Sequence, residues 1–154
     1  MLWRSRLLLW WFGLTQVAMI GYCRPRLLQV DEAGVRLRIR LNRRSRNHLG
    51  SMYFGALMVG ADIAGGFLAF YLARQQRLKL SLAFKGVTAE FLRRPEADVE
   101  FRCQDGPLIV ALLAEARASG ERLTRTVTIS ACCPSLSEEP VALFQLQLSL
   151  KVMG

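Results

Sequence analysis

Residues 47–73 of this 154-residue chain, NHLGSMYFGALMVGADIAGGFLAFYLA, restrict what it can fold into more than any other stretch. From Met52 to Ala73 the ionisable groups are the Asp62 carboxyl and the phenols of Tyr53 and Tyr71. A helix built from this segment is apolar on nearly all its faces, so it is either wrapped by protein or immersed in lipid. Burying an ionised carboxylate in it without partners costs several kcal/mol or more. Asp62 is therefore paired, protonated, or placed at an opening where its perturbed chemistry is used, and the third reading is the one adopted here.

On either side of this segment the apolar pattern has period two. Val35, Leu37, Ile39 and Leu41 alternate with Arg36, Arg38 and Arg40, which predicts a strand with one buried face. A basic loop, 42–50, leads into the helix, with Ser51 as its expected N-cap. Alternation returns from Lys79 to Phe91, with Gly86 expected to shift the phase at a bulge. It continues through Val99, Phe101 and Cys103, through Leu123 to Ala131, and through Phe144, Leu146, Leu148 and Leu150. Residues 107–118, PLIVALLAEARA, read as a shorter helix stopped at Gly120. These stripes predict an α+β arrangement in which an antiparallel sheet of five or so strands curls around the long helix.

By size the chain is one folded domain, 25–154, preceded by an apolar helical segment, 1–24. That segment resembles a signal peptide or anchor but has no small-x-small cleavage site, and its apolar run is interrupted by Gly13, Thr15, Gln16 and Gly21. It is expected to pack on the domain or to touch a bilayer surface peripherally, with Trp3, Trp10 and Trp11 as interfacial anchors. The four cysteines show no metal-ligand spacing and no disulfide framework, so they read as reduced, apolar thiols of a cytoplasmic protein, and neither metal nor cofactor is expected. The net charge of +9, mostly arginine, favours polyanions. No aromatic residues interleave with the crowd from Arg36 to Arg46, so a phosphate-bearing ligand or anionic surface is expected before nucleic acid.

The stretch NHLGSMYFGALMVGADIAGG, with FKGVTAEFLRRP and the terminal LQLSLKV, resembles the hotdog-fold thioesterases, especially the phenylacetate-degradation and 4-hydroxybenzoyl-CoA type. Those enzymes carry an Asn, a Gly three residues on, a His-Gly-Gly opening the helix and a catalytic Asp fifteen residues after the Asn. Asn47, Gly50 and Asp62 fall at those spacings, with Tyr53-Phe54-Gly55 where the His-Gly-Gly would stand. The resemblance covers roughly residues 25–154 and implies a hotdog fold and a homodimer or dimer of dimers with its site between protomers. In that site Asp62 acts as base or nucleophile, Asn47 orients the thioester or a water, and the amides of Phe54 and Gly55 polarise the carbonyl. Ser81 stands about where the family places a water-orienting hydroxyl.

The substrate so implied is an acyl-CoA or another acyl-pantetheine, whose phosphates Arg43, Arg44 and Arg46 would meet, with Gly50 shaping the same loop. For Asn47 a loop-bracing role, and for Ser81 an ordinary strand hydroxyl, stay open beside the catalytic ones. A Ser51–His48–Asp62 triad fails on distance, since Asp62 lies about three helical turns from His48. Two other readings stay open as well: a non-catalytic acyl-binding protein on the same fold, and a membrane protein spanning at Leu7–Cys23 and Met52–Ala73.

Overall fold

The computed structural model describes residues 2–154. Helices α1 (Leu2–Thr15) and α2 (Ala18–Cys23) lead into strands β1 (Arg26–Val30) and β2 (Val35–Ile39), then the long helix α3 (Phe54–Gln75). Strands β3 (Lys79–Phe91) and β4 (Val99–Cys103), helix α4 (Gly106–Ser119), and strands β5 (Leu123–Cys133) and β6 (Ser137–Met153) complete the chain. The six strands form one antiparallel sheet in the order β1-β2-β4-β5-β6-β3. This sheet curls around α3 in the hotdog arrangement.

The alternating stripes of β2, β4 and β6 face the core, whereas on β3 the continuation of the stripe past the bulge leaves Val87 and Phe91 exposed. Val35, Leu37 and Ile39 of β2, Val99, Phe101 and Cys103 of β4, and Leu146, Leu148 and Leu150 of β6 are all buried against the helices. The phase shift at Gly86 is a break in register between Phe84 and Val87, where β3 bulges away from β6. Helix α4 ends at Gly120, whose φ of 71° is the left-handed cap.

The sheet has one strand more than the stripes indicate. β1 pairs with β2 through a tight turn in which the Asp31 carboxylate accepts hydrogen bonds from the amides of Ala33 (2.9 Å) and Gly34 (3.0 Å). RLLQV lacks alternation because only Leu27 in it is fully buried, so the turn was the better signal.

The long helix also starts later than expected, at Phe54, and Ser51 does not cap it. The amide of Met52 donates to Pro95 O (2.9 Å) and that of Tyr53 to Ser45 O (2.6 Å), which holds the backbone extended up to Tyr53. Ser51 is buried and bonded to Asn47 instead.

Neither membrane span of the alternative reading survives. α3 is long and apolar enough to cross a bilayer, yet 13 of its residues, from Ala56 to Ala73, are buried in the protein. The first candidate span is broken at Gln16–Val17 into α1 and α2, which fold over the domain and bury Leu9, Ile20 and Cys23. Trp3, Trp10 and Trp11 lie on the outward side of α1, exposed.

Helix and sheet approach closely at Gly60. A Cβ built there would lie 2.2–2.5 Å from the ring of Phe101, which is fully buried and cannot swing aside. Gly60→Ala is therefore expected to destabilise the fold by about 1–3 kcal/mol despite alanine's better helix propensity. Urea denaturation measures this; a variant as stable as wild type would mean that helix and sheet can separate here at no cost.

Candidate active site

Asp62 lies in the middle of α3, on the side that the sheet leaves uncovered. Its carboxylate keeps access to solvent in the single chain, but apart from Lys85 the residues lining the cavities beside it are apolar. It stands between a cavity of about 500 Å³ bounded by Met19, Met58, Val59 and Val87 and one of about 420 Å³ bounded by Phe12, Ile63, Gly66, Phe67 and Phe84. Desolvation by these side chains raises the carboxyl above the usual carboxylate range, and among the described residues no cation or donor pulls it back.

The start of α3 is the second chemical feature. Its first internal bond runs from the Leu57 amide to Tyr53 O (3.1 Å), so the amides of Phe54, Gly55 and Ala56 have no partner within the helix. They carry the positive end of the helix dipole. The Phe54 ring packs on Phe91 at 5.4 Å between centroids, and Phe91 in turn meets Phe144 edge-on at 6.0 Å. The Tyr53 ring folds over Gly55, where a Cβ would come 2.4 Å from it.

Asp62 and these amides do not meet within one chain. Eight residues separate Phe54 from Asp62, or about 12 Å along the axis. One thioester carbonyl cannot span that distance, so a site using both needs a second copy.

Asn47 braces its loop. Its side-chain oxygen accepts from the amides of Leu49 (2.9 Å) and Ser51 (3.2 Å), and its NH₂ donates to Ser51 Oγ (3.2 Å). Gly50, at φ 82°, closes the turn, with its amide donating to Asn47 O (3.1 Å). Arg43, Arg44 and Arg46 are exposed on the same loop, and the Arg44 guanidinium lies over the Tyr22 ring of α2 at 5.6 Å. His48 is exposed and Ser51 buried, so the triad has no geometry to support it.

Ser81 is placed elsewhere. It points away from the inward-facing Leu82 and Phe84, and its hydroxyl accepts from Arg122 Nη2 at 2.6 Å. The loose sequence offset misplaces it, because a one-residue shift along a strand moves a side chain to the other face. What the sequence reading did not bring to the candidate site are the side chains of α1, α2 and the link between them that line the cavity beside Asp62, notably Phe12, Val17 and Ile20. Nothing in the sequence shows that residues 2–23 fold back over the middle of α3.

The four thiols, Cys23, Cys103, Cys132 and Cys133, are buried, and burial pushes the Cys103 thiol up to about 11, which leaves it unreactive.

Because desolvation raises the folded-state pKa of Asp62, ionising it opposes folding. The penalty is absent below the unfolded-state value of about 3.9, grows as pH rises toward the folded-state value, and is constant above it. Asp62→Asn should therefore melt above wild type near about pH 7 and level with it near about pH 3. An Asn variant less stable than wild type at neutral pH would mean that the carboxylate has a partner.

Solved structures share this architecture. A Pseudomonas aeruginosa protein of unknown function, named a probable thioesterase, is 23% identical with a TM-score of 0.78, over 97% of this chain and 95% of that one. A Chlorobaculum tepidum protein of unknown function is 11% identical with a TM-score of 0.82, over 96% and 94%. A Haemophilus influenzae thioesterase is 12% identical with a TM-score of 0.69, over 99% and 91%. At these identities the likeness establishes the hotdog fold. No curated protein matches the chain. Residues 7–131 match the model of the family described as a domain of unknown function, DUF4442, a match that begins within α1, and the chain belongs to that family.

Proposed function

We propose that the protein hydrolyses an acyl thioester, an acyl-CoA or other acyl-pantetheine, in the cytoplasm, at a site completed by a second copy of the chain. The observation that carries this reading is Asp62: a carboxylate without a partner among the described residues, raised by burial, between two apolar cavities on the core helix. The thioesterase names of similarly folded proteins agree with it. Strand β3, the partner of β6 alone, is an edge 13 residues long with Val87 and Phe91 exposed. A long open edge of this kind favours pairing with another copy.

In this reading Asp62 takes a proton from a water whose oxygen attacks the thioester carbonyl. The oxyanion is held by the Phe54 and Gly55 amides of the other protomer. Collapse of the adduct expels the thiolate, which takes the proton from Asp62, leaving a carboxylic acid and a free thiol. A raised pKa makes the carboxylate a stronger base for the first step. Asn47 acts through the loop that it braces, and exposed Arg43, Arg44 and Arg46 meet the phosphates of the carrier.

Asp62→Asn is expected to fold and to lower kcat by about 10²- to 10⁴-fold, followed as release of free thiol from a panel of acyl-CoAs. Phe54→Pro removes one donor at a helix position that accepts proline, and Tyr53 before it already has the extended conformation proline requires (φ −64°, ψ 140°). It should cost about 10²- to 10³-fold. Refolding the two inactive variants together should restore roughly a quarter of the wild-type rate, because half the random pairs regain one of their two sites. No recovery on mixing would remove the shared site; wild-type turnover by Asp62→Asn would remove the mechanism.

One observation favours a non-catalytic acyl-binding protein instead: the Tyr53 ring lies over Gly55, where the thioester oxygen must approach. Binding of acyl-CoA without any turnover by wild type would select that reading.

A further inference from the structure

The helices that precede the hotdog domain do more than cover it. α1 and α2 fold against each other at Gly13 and Gly21, where backbone meets backbone: a Cβ on Gly21 would lie 2.5 Å from Gly13 O. The hairpin crosses the side of α3 that carries Asp62, Gly66 and Phe70, residues spaced four apart and so aligned along one face. Between hairpin and helix lies the cavity of about 420 Å³, and Asp62 is the one charged side chain among the described residues that line it.

Three features bear on what this cavity can hold. It is a cleft partly open to solvent, with Val17 and Phe70 exposed on its rim, and apart from Asp62 its walls are apolar, so it can shelter an alkyl chain from water. Gly66 keeps it open. A Cβ there would meet the Phe84 ring at 3.7 Å and Leu82 at 4.0 Å, ordinary contact distances, so an alanine could stand in its place. Yet glycine in a helix interior costs about 1 kcal/mol relative to alanine. The third feature is its shape. The cavity runs from Asp62 to the aromatic pair Phe12–Phe70, 6.3 Å between centroids, or about 12 Å along α3.

Resting on the thioesterase reading above, we infer that the α1–α2 hairpin roofs a blind pocket for a linear aliphatic acyl chain of medium length, with its carbonyl end at Asp62 and the Phe12–Phe70 pair setting the chain length. The wider cavity on the other side of Asp62, toward Lys85 and Val87, then holds the pantetheine arm. A short acyl group leaves the pocket unfilled and forfeits about 0.8 kcal/mol per methylene left in water. A long one meets the aromatic pair. A benzoyl group is too short to reach it.

The experiment measures kcat/KM for acetyl-, decanoyl-, palmitoyl- and benzoyl-CoA, and separately the binding of free decanoate by calorimetry, on the full-length chain. Wild type is expected to prefer decanoyl-CoA and to bind decanoate. Gly66→Leu, which fills the pocket, should lower the decanoyl-to-acetyl ratio about tenfold or more and abolish decanoate binding. Phe12→Ala, which opens the far end without adding volume to the core, should raise the palmitoyl-to-decanoyl ratio by a similar factor. Turnover of acetyl- or benzoyl-CoA in preference to decanoyl-CoA would overturn the pocket while leaving the hydrolase reading intact. Decanoate binding that Gly66→Leu removes, with no thioester hydrolysed by any variant, would support the pocket and overturn the hydrolase reading. Variants that melt like wild type and leave both ratios unchanged would also overturn the pocket.

Discussion

The fold depends on one apolar helix, α3, 13 of whose residues are buried by the rest of the chain. The sheet supplies most of the cover, and the intimacy of that contact is set at Gly60, where the Phe101 ring occupies the space of a missing side chain. Because the sheet is open between its edges, it cannot wrap the full circumference. The remaining side of α3 is partly covered by α1 and α2, and Asp62 lies on that side. The position of the carboxylate is thus a consequence of how the core is closed: it sits at the seam between the sheet's edge strand and the N-terminal hairpin.

Two acids in this molecule are handled in opposite ways, and the contrast separates structure from chemistry. Glu100, on the outer face of β4, is buried, and desolvation alone would raise it. Hydrogen bonds from Arg38 (2.7 Å) and Arg102 (3.4 Å), with the charges of Arg38 and Arg36, overcome that and hold it below the usual carboxylate range. It stitches β2 to β4 and absorbs part of the arginine crowd that the sequence presents as a candidate anion site. Asp62 has desolvation without the compensation. Charged hydrogen bonds are worth about 1.5–3 kcal/mol each, so three arginines offset the desolvation of Glu100, while the desolvation of Asp62 goes uncompensated.

The parts of the fold that were legible in the sequence are those in which a single local pattern decides. Period-two stripes located β2 to β6, and Gly86 and Gly120 located a bulge and a cap, because alternation and glycine report on the residue's own backbone. What stayed hidden depended on partners distant in the chain. Pro95 and Ser45 take the amides that would have let Ser51 begin the helix. Arg122 takes the Ser81 hydroxyl on a face that a motif offset of one residue cannot distinguish. The break at Gln16–Val17 turns what reads as one apolar helix into a hairpin, and only the close approach of Gly13 to Gly21 explains why the two halves fold back. The spacing that resembles hotdog thioesterases runs along one continuous loop and helix, from Asn47 to Asp62. It could say nothing of α1 and α2, which lie before the region it covers.

Within α3 the departures from good helix design fall together. A buried helix of this length is most stable with alanine or leucine throughout, yet residue 62 carries a desolvated carboxyl and residue 66 has no side chain to fill the space beside it. Each departure lowers stability on its own, and the two occupy the same face one turn apart. Gly60, on another side of the helix, is a glycine of a different kind, since the ring of Phe101 leaves it no room to be anything else. The distinction is physical: at Gly60 a Cβ would collide with the Phe101 ring, whereas at Gly66 it would meet the Phe84 ring and Leu82 at ordinary contact distances. Local rules broken without a packing reason, next to an unpaired acid and a cavity, are expected at a site where stability is exchanged for room and reactivity.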